Sequence, residues 1–319
     1  MSRLEFNNGC SLDIHPIFDN VEKWDEGTQF IECATEESIL GEIPKIILIV
    51  KTTHNLCELG EEIEGRILDD KGNPIYFVGY VISISFINDK CVIVILCTRP
   101  DFVREEVQNT YSGMGNAIRG LYPGRTENII FRDGSKSNLM DDMKIYQEDK
   151  TNHDMLTQLL LGYKKNTIFG FALGKLLINT VNPFTPLDVE VSSLIEFQPI
   201  NAPRLTNPML YSKEAKIIDY SKGKDPNHKI VKFFSKYISV DKEYENFVAN
   251  FTHNSRFLQS VKSSANYSTR VLLPINITDS IKFYNEAVFI KDCFISKREI
   301  KFSNQNMEVF YTIQSINPV

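Results

Sequence analysis

Apolar and polar positions alternate in short runs through the first hundred residues. Lys45 to Lys51, Glu61 to Leu68, Tyr76 to Ile87 and Lys90 to Cys97 each read as strands, because a period of two places every second side chain on one face. Turn chemistry separates them. Asp69-Asp70-Lys71-Gly72-Asn73-Pro74 supplies a glycine for positive φ and a proline that ends pairing, and Asn88-Asp89-Lys90 is a tight polar turn between β-prone runs. The pattern predicts a meander of antiparallel strands. Cys91 to Leu96 is nearly all apolar, which predicts a sheet covered on both faces.

Beyond Arg99-Pro100 the pattern changes. The glycine-rich stretch Ser112 to Gly124 predicts a short helix closed by a turn at Tyr122-Pro123-Gly124. A longer helix follows, with Thr151 as its cap, Asp154 three residues on, and Met155, Leu156, Leu159, Leu160 and Tyr163 on one apolar face. Thr167 to Thr180 reads as a hairpin containing Gly170 and Gly174, Asn182 to Pro186 breaks the chain, and Leu187 to Phe197 returns to a strand pattern.

The last fifty residues are strands again, and their arrangement repeats an earlier one. Glu61 to Leu68, Ile75 to Ile87 and Cys91 to Thr98, with a polar turn at Asn88-Asp89-Lys90, correspond in order and length to Asp279 to Tyr284, Ala287 to Ile300 and Met307 to Ile316, with a polar turn at Asn304-Gln305-Asn306. The likeness is one of pattern and not of identity. If it marks a duplication, the fold holds two similar barrels.

At 319 residues and 42% hydrophobic content the chain exceeds the size at which one core keeps growing, so two or more domains are expected. An aromatic content of 11%, with abundant Ile and Val, suits pleated surfaces. The net charge of -6 argues against nucleic acid as the main partner. Six cysteines without a C-x-x-C pair predict reduced thiols, and Cys91 and Cys97 read as small buried hydrophobes. The opening residues carry no apolar h-region, so no secretory leader is expected. No apolar run approaches a membrane span. Without such a leader, the Asn250, Asn266 and Asn276 glycosylation patterns read as chance.

No catalytic, cofactor-binding or metal residue is expected. Gly115 and Gly120 have phosphate-loop spacing, but Leu121 and Tyr122 follow where Lys and Ser or Thr are needed, and Gly113-Met-Gly starts a dinucleotide pattern that it does not complete. His15, His54, His153, His228 and His253 are scattered, which leaves zinc without a home. Glu36-Glu37, Glu61-Glu62, Asp69-Asp70 and Asp141-Asp142 read as solvated charge in turns or on exposed edges, whereas acid-base catalysis needs a desolvated carboxylate. No G-x-S-x-G elbow is present. The lysines from Lys213 to Lys236, interleaved with Tyr220, Phe233, Phe234 and Tyr237, form a local basic and aromatic stretch that reads first as a solvated face.

In order, these elements resemble the baseplate hub proteins of contractile-tailed phages, and are similar to the hub portion of type VI secretion spikes. The resemblance rests on an opening strand at Leu12 to Asp19, a strand at Phe30 to Ala34, the meander ending at Cys97, the segment Ile145 to Leu156 where hubs begin an inserted domain, and Phe310 to Ile316 as a closing barrel strand. It implies an α+β, β-rich chain of two similar antiparallel, tail-tube-like β-barrels with an inserted mixed α/β domain. The expected limits are 1–108 for the first barrel, 109–184 and 211–266 for the insert, and 185–210 with 267–319 for the second barrel.

The resemblance further implies a homotrimeric, pseudo-sixfold ring without catalytic activity or cofactors in the virion tail baseplate, assembled in the host cytoplasm. Its partners would be a tail tube protein above, a spike below and wedge proteins around, with DNA only in transit and no membrane insertion. A receptor- or glycan-binding β-protein and a tail-associated cell-wall hydrolase are the alternative readings.

Overall fold

The computed structural model describes residues 2–5, 11–16, 28–39, 41–53, 55–69, 71–132, 144–145, 148–180, 187–190, 196–200, 246–247, 249–251, 253–254, 262–270, 272–284, 289–303 and 306–315. The first group of strands comprises β1 (Ser2–Glu5), β2 (Ser11–Pro16), β3 (Gln29–Ser38), β4 (Lys45–Lys51), β5 (Glu62–Leu68), β6 (Pro74–Ile87) and β7 (Lys90–Leu96). Alternation sets their faces. In β4, Ile46, Leu48 and Val50 are buried while Lys45, Ile47 and Lys51 are exposed. The β6–β7 hairpin closes with Ile87 opposite Lys90, and Asn88 sits at φ +59°, a left-handed conformation that asparagine tolerates. Lys51 reaches Asp89 at 2.8 Å and ties the hairpin tip to β4.

The expectation of a sheet covered on both faces needs correction at β7. Cys91, Ile93 and Ile95 are buried, but Val92 and Val94 between them are only half-buried. The outer sides of the neighbouring strands, with Ile47, Ser83 and Ser85, shield the two valines only in part.

The middle of the chain contributes β8 (Glu106–Val107), β9 (Tyr111–Ser112), helix α1 (Met114–Leu121), β10 (Ile129–Phe131), β11 (Lys144–Ile145), β12 (Glu148–Thr151), helix α2 (Asn152–Leu161), β13 (Thr167–Ala172) and β14 (Lys175–Thr180). The Thr151 hydroxyl accepts the Asp154 N–H at 3.1 Å, the cap that the sequence predicts. Met155, Leu156, Leu159, Leu160 and Tyr163 are all buried, as are Leu161 and the whole of β13, so α2 is enclosed on more than one side. Gly174, at φ +93°, turns the β13–β14 hairpin where it meets the main sheet: the Val78 N–H donates to the Leu173 carbonyl at 3.3 Å.

Late strands complete the sheet: β15 (Leu187–Glu190), β16 (Glu196–Ile200), β17 (Lys262–Thr269), β18 (Ser280–Tyr284), β19 (Phe289–Ser303) and β20 (Met307–Ser315). The expected single strand Leu187 to Phe197 therefore spans parts of two, β15 and β16. Among the described residues the early and late strands belong to one 13-stranded sheet of order β1-β2-β5-β6-β7-β4-β3-β19-β20-β17-β16, with β18 beside β19 and β15 beside β18. It curls as a largely antiparallel half-barrel, and β15–β18 is its parallel pair.

Connectivity repeats within this sheet. The strands β3 to β7 lie in the order β5-β6-β7-β4-β3, and β16 to β20 lie in the order β18-β19-β20-β17-β16. Each set has an antiparallel pair, joined by a short loop between β3 and β4 and by residues 201–261 between β16 and β17, then a three-strand meander whose last strand returns beside that pair. Each also has a long middle strand with a bulge, between Val81 and Ser83 in β6 and between Ile295 and Lys297 in β19. The repeat read from turns and lengths is thus present as a repeat of strand order.

Candidate functional site

The two repeats meet along β3 and β19. Lys297 to Ser303 pairs antiparallel with Ser38 to Glu32, and the core face of the junction carries three rows: Phe302 opposite Cys33, Ile300 opposite Thr35, and Arg298 opposite Glu37. All six side chains are buried. Arg298 Nε donates to the Glu37 carboxylate, while its Nη1 donates to the Ile275 carbonyl at 3.0 Å and to Asn276 Oδ1 at 3.3 Å.

Glu37 therefore corrects the expectation that the Glu36-Glu37 pair is solvated. Alternation sends Glu36 outward, where Lys297 reaches it at 2.7 Å, and Glu37 inward to a cation that meets its Oε2. Burial works against the Lys297 charge, but hydrogen bonds to Glu299 and Glu36 outweigh it and hold the Lys297 pKa above its ordinary value. Asp69 needs the same correction. It is buried, and it accepts the N–H groups of Lys71 (3.0 Å), Asn73 (2.7 Å) and Leu272 (3.3 Å), which fastens the β5–β6 turn to a late loop. Burial pushes the Asp279 carboxyl up from the usual range, opposed by the Asn276 N–H and by Arg132 at 3.1 Å.

A second feature is an open edge. The first half of β6 pairs with β5 from Pro74 to Tyr80, and Val81 bonds through its N–H and carbonyl to Glu61 and Gly60. From Ser83 to Ile87 the strand pairs only with β7 among the described residues. Phe86 is 52% exposed and Ile87 60%, with Ile82 exposed beside them.

Among the described residues the scattered candidates are not brought together into a reactive site. His153 bonds the Gly41 carbonyl at 2.6 Å and packs edge-on against Phe102, which makes it a clasp between α2 and the β3–β4 connection. His253 meets Asn166 Oδ1 at 2.7 Å. Among the described residues no three His, Cys, Asp or Glu side chains are grouped to hold a metal. Cys33, Cys57, Cys91, Cys97 and Cys293 are buried thiols, and burial raises the thiol pKa of Cys33, Cys57, Cys91 and Cys97, to about 12 at Cys57.

Gly113 starts α1 at φ +82°, and a Cβ on Gly120 would lie 2.2 Å from the Tyr111 ring, so these are turn and packing glycines. Asn250 donates to the carbonyls of Gly162 (3.2 Å) and Tyr163 (3.3 Å), and Asn266 accepts from the Thr312 hydroxyl at 3.2 Å; both side chains serve the fold. A cleft of about 480 Å³ beside β5 and β6 is lined by Glu62, Glu64, Arg66, Tyr80, Arg99 and Arg125, with charges of both signs. The stretch Lys213 to Lys236, with His54, His228, Asp70, Asp141 and Asp142, lies outside the described residues.

No protein-family model matches the sequence, and no curated protein matches it. The fold does have counterparts among solved structures. A 43 kDa tail protein of prophage MuSo2 from Shewanella oneidensis is similar over 95% of each chain, with a TM-score of 0.59 and 9% identity. A tail protein from Neisseria meningitidis MC58 is similar over 96% of this chain and 97% of its own, with a TM-score of 0.61 and 10% identity. The chain has the phage tail protein fold. An Escherichia coli protein described as a component of the type VI secretion system, with structural similarity to phage T4 tail proteins, shares this fold too, over 96% of this chain and 77% of that one, at a TM-score of 0.58 and 10% identity. The tail-protein likeness read from the order of elements thus holds for the fold across nearly the whole chain.

Proposed function

We propose that the chain is a structural subunit of a phage tail baseplate hub, three copies of which close a pseudo-sixfold ring that joins a sixfold tail tube to a threefold spike and continues the central channel. The observation that carries this reading is the repeated strand order. Two like sets of strands per chain give three copies six similar positions, so one side of the ring presents quasi-equivalent surfaces to a sixfold partner and the other keeps true threefold symmetry.

On this reading the chain is not an enzyme and uses no cofactor. The tube protein sits above, the spike below and wedge proteins around, and DNA only passes through. The strands around β3 to β7 and those around β16 to β20 act as the two barrel-forming units, with the helical middle as an insert on their outside. The virion tail is its place of work, after assembly in the host cytoplasm.

Light scattering and negative-stain microscopy of the purified chain test the proposal. The expected result is a particle of three chains with an open centre that binds a tail tube protein. A strict monomer at high concentration that never joins a tube protein overturns it, and saturable binding on a glycan array would favour a recognition module instead.

A further inference from the structure

One difference between the two repeats points to a partner. In the second repeat the far half of β19 is covered along its outer edge by β3; in the first, the matching half of β6 has no neighbour on that side among the described residues. The hairpin ends set the match. Ile87 lies opposite Lys90, and the Ser303 N–H donates to the Asn306 carbonyl at 2.9 Å. Counting back from each turn puts Ile84 and Phe86 where the second repeat has Ile300 and Phe302, the same pair of side chains.

Their surroundings are not the same. Ile300 and Phe302 are fully buried, because Thr35 and Cys33 lie opposite them on β3. Phe86 is half open to solvent. In an antiparallel ladder that starts from the Ile87–Lys90 pair, the backbone groups of Ile84 and Phe86 turn away from β7 and form a row of donors and acceptors along the open edge.

The repeat also identifies the strand that fits. β3 is the outer strand of a β3-β4-β7 series, and its counterpart in the β16-β17-β20 series is β16. β16 lies at the far end of the sheet, with its outer side unpaired among the described residues. Pro199, which has no N–H, fits an outermost strand. β16 of the same chain is already held at the opposite end of the sheet, so the occupant must come from another copy.

We propose that Ser83–Ile87 of one chain pairs antiparallel with β16 (Glu196–Ile200) of a second copy, rebuilding between chains the junction that β19 and β3 make within one. The register follows from the repeat. Thr35 shares a row with Ile46 and Ile95, and Phe197 shares the matching row with Tyr267 and Tyr311; Ile84 therefore faces Phe197 of the neighbour as Ile300 faces Thr35. Such a contact is head-to-tail, since each copy offers one edge of each kind, and its repetition closes a ring. This inference rests on the ring reading above and names the surface that builds it.

Chains carrying Ile84→Cys and Phe197→Cys, prepared separately, mixed and oxidised, test the register. A cross-linked pair of chains is expected in the mixture and not in either variant alone. As a second variant, Phe86→Lys changes an exposed position; it should keep the wild-type melting temperature while raising the concentration needed for assembly by about tenfold or more. If the wild type assembles, yet the mixture gives no cross-link and Phe86→Lys assembles unchanged, the strand junction is wrong and the ring stands. If the wild type never assembles, both fall.

Discussion

Glu37 and Arg298, 261 positions apart in the chain, form an ion pair with both side chains closed off from solvent. A lone charge left at that depth has no water to turn to, so Glu37→Gln or Arg298→Met is expected to lose about 3–5 kcal/mol of stability in urea unfolding. Arg298 should cost the more, because it also holds the Ile275 carbonyl and Asn276. The double change Glu37→Leu with Arg298→Leu should recover most of the loss. Single variants within about 1 kcal/mol of wild type would refute the account.

The cysteines give a chemical readout of the core. Burial is the first cause of the raised thiol pKa at Cys33, Cys57, Cys91 and Cys97, so almost no thiolate exists at pH 8. A colorimetric thiol reagent should titrate at most Cys10 in the native protein and all six cysteines in guanidinium. Rapid labelling of two or more thiols without denaturant would contradict this packing.

Asp154 carries a pH-dependent contribution. Its carboxyl is held below the ordinary value by the hydrogen bond with His153; burial opposes this and the Thr151 hydroxyl adds to it. A lowered carboxyl pKa favours folding while the group is ionised. That contribution is present above the unfolded value near 4 and is lost as pH falls through the lower folded value. Asp154→Asn should therefore cost about 0.5 kcal/mol at pH 6, discounted for partial exposure, and nothing at pH 2. Equal deficits at both pH values would show that the effect is not ionic.

Gly79 lies where β6 passes close to β7. A methyl group there would stand 2.5 Å from the Ile95 side chain and 2.7 Å from the Leu96 carbonyl oxygen, and a backbone atom in a paired strand has little room to retreat. Gly79→Ala should cost about 1–3 kcal/mol in thermal or urea unfolding. A neutral result would mean that the sheet gives way at this crossing and would overturn the close contact.

Local order was legible in the sequence, and distant pairing was not. Alternation placed Lys45–Lys51 to the residue, and the Thr151 cap with its apolar face placed α2. The junction of β3 with β19 left no such trace, because antiparallel pairing across most of the chain creates no period in either strand. Glu37 was missed for a related reason. Its neighbours suggest a solvated pair, and the register shift between Phe30 and Glu32 alters the parity of β3, so counting from its first residues misjudges which side faces in. The open edge at Ser83–Ile87 was equally hidden, since an apolar run reads the same whether or not a strand lies beside it. The repeat was the one long-range signal available, carried by turns and lengths.

Because Phe302 must find Cys33, the middle of the sheet can zip only after every residue between the two has left the ribosome. Until then β3 waits with one side bare and a carboxylate without its cation, a condition that favours slow maturation and capture by chaperones or by sister chains. The seam that unites the two halves is thus also a late stitch, and a step at which synthesis is exposed to error.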